Sequence, residues 1–399
     1  MKYIVLVGDG MADFPLEKLN GHTPLEAAKT PNMDSISRQG RTGLVYTVPK
    51  GMKAASDVAN LSILGYDPVK YYTGRGPLEA AYMGVKLGVN ELAFRCNLVT
   101  AYQNTMVDYS AGHITTKEAE ILISALDKEL GNEQIRFYPG VSYRHLTVIK
   151  AVQGFDDLSA KCKPPHDISS QEISSNLPKG KGAQMLNCLM EKSKKVLERH
   201  EINQIRMDLG ENPANMIWLW GQGIMPNLVS FKEKFGVDGS IISAVNLIKG
   251  IGCSIGLRVI EVPGATGYYD TDYQAKARFA ISSLDNLDFT FVHVEAPDEA
   301  GHNGDIRAKI TAIENFDKLV VGTILENFRD REDYRVLVLS DHLTPLSLKT
   351  HVADPPPFAL CGKGINADNS KSFSEKEAKN SSFEFKQGHK LIEYLITDT

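Results

Sequence analysis

Acidic and histidine side chains follow three short apolar segments of the sequence. The first segment leads into Asp9, the second into residues 295–302, and the third into Asp341 and His342. If these segments are parallel strands of one open sheet, their carboxyl ends meet at one edge, where such sheets bind ligands. Carboxylates and imidazoles from distant parts of the chain would then converge on a single crevice.

The spacing of these residues fits a metal site. Asp298 and His302 are four residues apart, so a helix beginning near Pro297 would present both on one face. His351 lies just before three consecutive prolines, 355–357, which would restrict the loop that carries it. Carboxylate and imidazole ligands without thiolates suit Mn²⁺ or Zn²⁺, and Mg²⁺ where carboxylates dominate.

Each of these residues also has a structural explanation when it is taken alone. An aspartate after a strand, such as Asp9, is more often a turn residue or a helix cap. A single histidine such as His351 is more often a hydrogen-bonded structural residue. The combination of all these groups at predicted strand ends favours a metal site over the separate explanations.

Ser56 is a candidate nucleophile. It precedes a short predicted helix that ends at Gly65, so we expect it to be the N-cap of that helix. The helix dipole and the free N–H groups at that end favour an anion. A serine hydroxyl is a poor nucleophile near neutral pH unless a metal ion or a base removes its proton. Alone, Ser56 is an ordinary cap, and beside a metal site it becomes a candidate for catalysis.

Strand and helix patterns alternate along much of the chain, which predicts an α/β fold with a parallel sheet covered on both faces. The predicted core strands are residues 3–7, 216–219, 289–294 and 335–339, and examples of predicted helices are 184–199, 305–327 and 386–396. Residues 364–382 are polar and are expected to form a surface loop.

The middle of the chain has a different pattern. The segments 94–99 and 143–148 are partly polar on one face, which is typical of an antiparallel α+β unit. We therefore expect a core domain of residues 1–92 and 182–399, with a cap domain, 93–181, inserted into it.

Composition excludes several classes of protein. The chain has 399 residues, 42% hydrophobic and 23% charged, so wholesale disorder is excluded. The net charge of -5 argues against nucleic acid as a partner. The five scattered cysteines, without CxxC spacing, argue against disulfides and indicate a reducing compartment. Neither a signal peptide nor a membrane span is apparent, so a cytoplasmic protein without membrane contact is expected.

At these motifs the sequence resembles the archaeal-type, cofactor-independent phosphoglycerate mutases of the alkaline phosphatase superfamily. The resemblance spans nearly the whole chain, and the metal segments around Asp298, Asp341 and His351 continue it. The other motifs that carry it are VGDGMAD (7–13), TPLEAA (23–28), TPNMD (30–34), SDVANL (56–61), GYDP (65–68) and YTGRGPLEA (72–80). It implies an alkaline-phosphatase-like three-layer sandwich with a mostly parallel central sheet and an inserted α+β cap.

The resemblance also implies a metal centre of two divalent ions. Mn²⁺ is the first choice, with Zn²⁺, Mg²⁺ and Co²⁺ as alternatives. The implied ligands of one ion are Asp298, His302 and His351, and those of the other are Asp9, Asp341, His342 and the Ser56 oxygen.

The implied reaction is the interconversion of 3-phosphoglycerate and 2-phosphoglycerate through a phosphoserine at Ser56, without 2,3-bisphosphoglycerate. The expected partner is thus a small phosphorylated hydroxy acid; the oligomeric state is not predicted. Candidate substrate-binding residues are Arg75, Arg95, Asn97 and Arg144, because arginine makes bidentate contacts with carboxylate and phosphate. His113 is a candidate proton shuttle between the two hydroxyls of glycerate.

The sequence departs from the family pattern at one segment. Residues 52–55 read MKAA where many family members have a Pro-Gly pair, which could change how substrate approaches.

Two alternatives to the mutase hypothesis stay open at the level of sequence. A bacterial branch that is also similar has been proposed to phosphorylate homoserine, so a phosphotransferase on another hydroxy acid, or a phosphatase, is the second hypothesis. The third is a metal-binding protein without catalysis.

Overall fold

The computed structural model describes residues 1–151 and 158–397. It divides into two compact units, one formed by Met1–Tyr72 with Asn227–Thr399 and the other by Thr73–Pro226. The expected cap, 93–181, lies inside the second unit, but the boundaries differ by about 20 residues at the first and 45 at the second. The reason is that a strand near residue 220 pairs with the strand that begins at Glu91.

Thirteen strands are present in the described residues. In chain order they are β1 (Lys2–Gly8), β2 (Arg41–Val45), β3 (Glu91–Tyr102), β4 (Thr105–Asp108), β5 (Ile135–Val141), β6 (Arg144–Lys150), β7 (Met216–Gly223), β8 (Gly239–Ile242), β9 (Arg258–Val259), β10 (Phe289–Val294), β11 (Tyr334–Leu339), β12 (Pro357–Gly362) and β13 (Glu384–Phe385).

The helices of the described residues alternate with these strands. They are α1 (Pro24–Ala27), α2 (Pro31–Gln39), α3 (Ser56–Ile63), α4 (Pro68–Tyr71), α5 (Arg75–Tyr82), α6 (Thr116–Leu130), α7 (Ile173–Asn176), α8 (Ala183–Leu197), α9 (Glu201–Asp208), α10 (Phe231–Phe235), α11 (Asn246–Ser254), α12 (Tyr273–Ser283), α13 (Ala296–Asn303), α14 (Ile306–Asn315), α15 (Gly322–Asn327), α16 (Glu375–Asn380) and α17 (Leu391–Ile396). Short 3₁₀ turns occupy Glu17–Leu19, Pro165–Ile168 and Gly388–Lys390, and a π-helical turn, Phe316–Val321, joins α14 to α15.

The first unit is built on an eight-stranded sheet in the order β13-β2-β12-β11-β1-β10-β8-β9. The central strands β11, β1, β10 and β8 are parallel to their neighbours in this group, and β12 runs antiparallel to both β11 and β2. The carboxyl ends of β1, β10 and β11 therefore lie side by side, as the sequence analysis requires.

Helices cover both faces of this sheet, because successive side chains of a strand point to opposite faces. Ile242 of β8 belongs to the core cluster that includes Ala277 of α12, whereas the neighbouring Ile241 packs against α11 at Gly252. A Cβ on Gly252 would lie 2.4 Å from the Ile241 side chain, so this contact requires glycine. The predicted three-layer α/β fold with a mostly parallel sheet is confirmed.

The second unit contains an antiparallel sheet in the order β4-β3-β6-β5, with β7 paired to β3. Phe94, Cys96 and Leu98 of β3 belong to the large core cluster, together with Leu122 of α6 and Leu186 of α8. The alternate residues of β3 face the side covered by α5. This confirms the α+β character expected for the middle of the chain.

Several local expectations were wrong. Residues 216–219 were expected in the parallel sheet but form β7 of the antiparallel one. The last predicted helix, 386–396, is only α17, preceded by β13 and a 3₁₀ turn, and the predicted loop 364–382 contains α16. Among the described residues, no helix has both the length and the apolar character needed to span a membrane.

Candidate functional site

The predicted metal ligands meet at the carboxyl end of the parallel sheet in the first unit. Asp9 follows β1, Asp298 and His302 lie on α13 after β10, and Asp341 and His342 follow β11. Each strand places its ligand at the same edge because the register aligns Val7 with both His293 and Leu339.

One group of ligands forms around Asp298. His302 Nε2 lies 3.2 Å from Asp298 Oδ2, and His351 Nε2 lies 3.4 Å from Oδ1. The two imidazole Nε2 atoms are 2.9 Å apart. Asp298 and His302 share a face of α13, as their spacing predicts.

A second group forms around Asp9. His342 Nε2 lies 3.4 Å from both Asp9 Oδ1 and Asp341 Oδ2, and 3.1 Å from Ser56 Oγ. Ligand atoms of Asp298, His342 and His351 also lie within 4.8 Å of one another, so His342 stands between the two groups. All seven predicted metal residues are therefore linked by these distances.

The donor atoms of these groups fit divalent cations. Neither carboxylate oxygen of Asp9 has a hydrogen-bond partner of good geometry in the described part of the chain, although Asp9 is completely buried. A buried carboxylate left in this way is costly unless a cation neutralises it. Oxygen and imidazole donors in clusters of three within 4.8 Å match the ligand types of Mn²⁺ and Zn²⁺.

The sequence analysis missed two residues in this region. His293 Nε2 lies 3.0 Å from Asp9 Oδ2 and belongs to a possible ligand cluster with Asp9 and Asp341. Glu295 forms another such cluster with Asp9 and Asp298. The signal was present in the sequence, because His293 is the only ionisable residue in the apolar strand β10 and is completely buried.

In the metal-free protein the pKa values of the carboxyl groups of this site are shifted in opposite directions. Burial, followed by the charges of Asp341 and Asp298, raises the pKa of Asp9 well above its usual range. Burial also acts on Asp298, but hydrogen bonds from His302 and His351 outweigh it and hold the pKa of Asp298 well below its usual range. Burial and the charge of Asp298 raise the pKa of Glu295 to about 8.

The pKa values of the histidines are also shifted in opposite directions. Burial lowers the pKa of His302, but the hydrogen bond to Asp298 is stronger, and the net result is a pKa of about 9. Burial lowers the pKa of His293 to about 4 and also lowers that of His342. His293 and His342 are thus neutral at pH 7, which is the form that coordinates metals.

Ser56 lies at the amino end of α3. It is the first residue of the helix rather than its N-cap, which is Ala55 and makes no side-chain cap. Asn60, one turn later, donates from Nδ2 to both the Ser56 carbonyl oxygen (2.9 Å) and Asp341 Oδ2 (2.8 Å). This amide fixes the start of α3 beside a predicted ligand, and the end of the helix dipole there favours an anion.

The predicted substrate residues lie in the second unit, where two arginines lie beside one tryptophan. The guanidinium carbons of Arg75 and Arg95 lie 5.5 and 5.0 Å from the Trp220 ring centroid. Arg95 Nη1 lies 2.6 Å from Glu79 Oε1, and Arg75 Nε lies 3.5 Å from the same oxygen. We call Arg75, Arg95, Arg144, Asn97 and Trp220 the arginine cluster.

The arginine cluster has more positive charge than Glu79 can neutralise. The Nε atoms of Arg95 and Arg144 are buried without a hydrogen-bond partner in the described residues, and that of Arg75 has only its long contact with Glu79. Burial and the neighbouring arginines, opposed by Glu79, lower the pKa of Arg95 to about 10, so it remains charged at pH 7. Guanidinium groups that outnumber the carboxylate beside them and keep unpaired donors are suited to binding an anion.

Asn97 belongs to the arginine cluster, whereas His113 lies at its margin. Asn97 Oδ1 accepts a hydrogen bond of 3.1 Å from Trp220 Nε1, and Asn97 lies opposite Arg144 in the register of β3 and β6. His113 is exposed, and its ring is 6.2 Å from that of Tyr143, on which Arg144 stacks at 5.5 Å. Trp220 was not predicted, because its partner Asn97 is 123 residues away in the sequence, and Glu79 was not predicted although Arg75 precedes it by four residues.

Comparisons with known proteins agree on one family. The family model described as 2,3-bisphosphoglycerate-independent phosphoglycerate mutase matches residues 37–203. A protein of that name from Methanosarcina mazei is 52% identical over 398 residues, which cover 99% of this chain and 100% of the relative. One from Methanothermobacter thermautotrophicus is also 52% identical, over 99% of this chain and 97% of the relative.

Two solved structures share the fold over nearly the full length. A protein from Pyrococcus horikoshii superposes with a TM-score of 0.83 at 32% identity, covering 99% of this chain and 96% of its own. A cofactor-independent phosphoglycerate mutase from Thermoplasma acidophilum has a TM-score of 0.67 at 26% identity, covering 99% of both chains.

Proposed function

Because the chain belongs to the 2,3-bisphosphoglycerate-independent phosphoglycerate mutase family, we propose that it interconverts 3-phosphoglycerate and 2-phosphoglycerate with Ser56 as its nucleophile. The observation that carries this proposal is the position of Ser56 Oγ, 3.1 Å from His342 Nε2 and therefore at the edge of the ligand groups. A hydroxyl oxygen and an imidazole nitrogen at this separation are close enough for one divalent ion to bind both.

The proposed ligands are those of the two groups: Asp298, His302 and His351 for one ion, and Asp9, Asp341, His342 and Ser56 for the other. Bound divalent ions supply positive charge that activates a hydroxyl and neutralises the oxygens of a transferring phosphoryl group. The mixed carboxylate and imidazole donors favour Mn²⁺, with Zn²⁺, Co²⁺ and Mg²⁺ as the alternatives to be measured.

The proposed reaction has two steps, transfer of the phosphoryl group to Ser56 and its transfer back to glycerate. Ser56 Oγ attacks the phosphorus of 3-phosphoglycerate, the ester bond to the glycerate oxygen breaks, and a phosphoserine and glycerate result. Asn60 keeps the start of α3 fixed on Asp341 while this happens. The 2-hydroxyl of glycerate then takes the phosphoryl group from Ser56, and the free hydroxyl of Ser56 is restored.

The arginine cluster is proposed to bind an anionic group of the substrate. Two guanidinium groups, those of Arg75 and Arg95, share a single carboxylate, Glu79, and a phosphorylated hydroxy acid offers both a carboxylate and a phosphate. Asn97 and Arg144 remain proposed contacts within this cluster. His113 remains a proposed proton shuttle, and it lies exposed at the margin of the arginine cluster.

A coupled assay tests the activity. The purified, Mn²⁺-loaded protein is given 3-phosphoglycerate with enolase and without 2,3-bisphosphoglycerate, and formation of phosphoenolpyruvate is expected. The relatives named as mutases do not favour the homoserine or phosphatase alternatives. Release of inorganic phosphate alone, or a phosphate ester formed only with homoserine and a phosphoryl donor, would contradict the mutase assignment.

Substitution of the nucleophile tests the proposed route. Ser56→Ala is expected to abolish mutase activity and leave most metal binding intact, because six of the seven proposed ligands remain. Ser62 lies on the same helix and is buried, so Ser62→Ala is a matched control that should remain active. Substantial mutase activity in Ser56→Ala would exclude a phosphoserine at this position.

A further inference from the structure

Lys309 is a completely buried lysine that makes three hydrogen bonds. It lies on α14, the helix that follows the ligand-bearing α13. Its ammonium group donates to Asp13 Oδ2 at 2.7 Å, to the Thr344 carbonyl oxygen at 2.8 Å and to the Ala12 carbonyl oxygen at 3.4 Å. An ammonium has three N–H donors, so this group is fully satisfied.

The acceptors of Lys309 belong to two segments that each carry proposed metal ligands. Ala12 and Asp13 lie just after Asp9, and Thr344 lies just after the ligands that follow β11. The two segments are also joined directly, since Thr344 N donates to the Ala12 carbonyl oxygen at 3.3 Å and Leu346 N donates to Asp13 Oδ2 at 3.1 Å. Lys309 therefore ties the segment after β1 to the segment after β11.

Thr344 connects this junction to the ligands themselves. Its hydroxyl donates to Asp298 Oδ1 at 2.5 Å and lies 3.3 Å from His342 Nδ1. A Cβ on Gly301 would lie 2.5 Å from the Thr344 carbonyl oxygen, and one on Gly10 would lie 2.5 Å from the Thr344 hydroxyl. Thr344 thus has little room to move, and its carbonyl is held by Lys309.

We propose that Lys309 is a positioning residue that sets the geometry of the metal centre through Asp13 and Thr344. The proposal rests on the metal centre of the proposed function. It assigns Lys309 no direct contact with substrate or metal. Partners that orient metal ligands commonly affect metal affinity by about 10- to 100-fold. Without the ammonium, Asp13 would keep a buried charge with weaker compensation, and the two segments would separate.

The test is metal binding measured apart from catalysis. Lys309→Met keeps the length of the side chain and removes its charge. We expect this variant to bind Mn²⁺ at least about 10-fold more weakly than the original protein in calorimetric titrations of metal-free protein. The rise in melting temperature that Mn²⁺ produces should shrink in parallel.

Lys249→Met is the matched control. Lys249 is also buried, and its ammonium lies 2.6 Å from Glu261 Oε2, so the variant likewise removes a buried lysine from an ion pair. It should lower the melting temperature of the metal-free protein and leave the affinity for Mn²⁺ within about twofold. A purely structural role for Lys309 would give the same result in Lys309→Met.

Asp13→Asn serves if Lys309→Met does not fold. It keeps an acceptor for Lys309 but weakens the ion pair, so we expect a smaller loss of Mn²⁺ affinity in the same direction. A folded Lys309→Met with an Mn²⁺ affinity within twofold of the original protein would overturn the proposal, as would an unchanged affinity in Asp13→Asn when Lys309→Met is unfolded. Failure of the original protein to bind Mn²⁺ would instead contradict the proposed function.

Discussion

The pH dependence of metal binding follows from the state of His302 in the metal-free protein. The pKa of His302 is about 9, because the hydrogen bond to Asp298 outweighs the effect of burial. The imidazole therefore carries a proton throughout the range from pH 6 to 8. A metal ion binds only the neutral imidazole, so binding must release this proton. Affinity for Mn²⁺ should accordingly rise with pH.

The magnitude follows from the number of protons released. One proton per ion corresponds to about a tenfold gain in affinity per pH unit, or roughly 100-fold between pH 6 and 8. Burial raises the pKa of Asp9 as well, a shift in the direction that strengthens this dependence on pH. The stability of the metal-free fold depends on pH in the opposite direction. Because the pKa of His302 is higher in the folded protein than the usual histidine value of 6.5, its protonation stabilises the fold fully below pH 6.5. This contribution is lost as pH rises through about 9.

Calorimetry in two buffers with different ionisation enthalpies counts the protons directly. At pH 7 we expect at least about one proton released as the Asp298 group fills. Asp298→Asn removes the charge that raises the pKa of His302, so the pKa of His302 in the metal-free variant, measured by NMR, should fall toward its usual 6.5. An affinity that is constant from pH 6 to 8, with no proton release, would refute this account of His302.

Two further predictions concern the other proposed ligands and the arginine cluster. Asp298→Asn and His351→Ala should each lose about one metal ion per chain, measured by elemental analysis of the purified variants, and full occupancy in both would contradict their assignment as ligands. The chain has two tryptophans, Trp218 and Trp220, so fluorescence can separate them. Trp218→Phe should keep the fluorescence change caused by 3-phosphoglycerate and Trp220→Phe should lose it, and the reverse pattern would place the anion elsewhere.

The positions of the ligands along the chain were predictable because they depend on local patterns. The strands β1, β10 and β11 are mostly apolar and largely buried, and the acidic residues after them could be placed at one sheet edge by the geometry of parallel strands alone. The shared face of Asp298 and His302 followed from helical spacing in the same way.

The errors arose where a side chain or strand depends on a distant partner. The apolar residues of β7 indicate burial, but they cannot reveal that the neighbouring strand is the antiparallel β3, more than 100 residues earlier. Lys309 looks like an ordinary lysine of an amphipathic helix, and only the fold brings Asp13 and Thr344 to it. Trp220 became visible as a site residue only once Arg75 and Arg95 were placed beside it.

The central claim is that Ser56 carries the phosphoryl group between the two positions of glycerate. The most direct measurement is to mix the Mn²⁺-loaded protein with 3-phosphoglycerate, quench in acid within the first turnovers, and locate the phosphate by peptide mass spectrometry. We expect phosphate on Ser56, none in the Ser56→Ala variant, and its loss as 2-phosphoglycerate accumulates. Turnover without a phosphorylated Ser56, or phosphate on another residue that forms and disappears at the rate of turnover, would contradict the account.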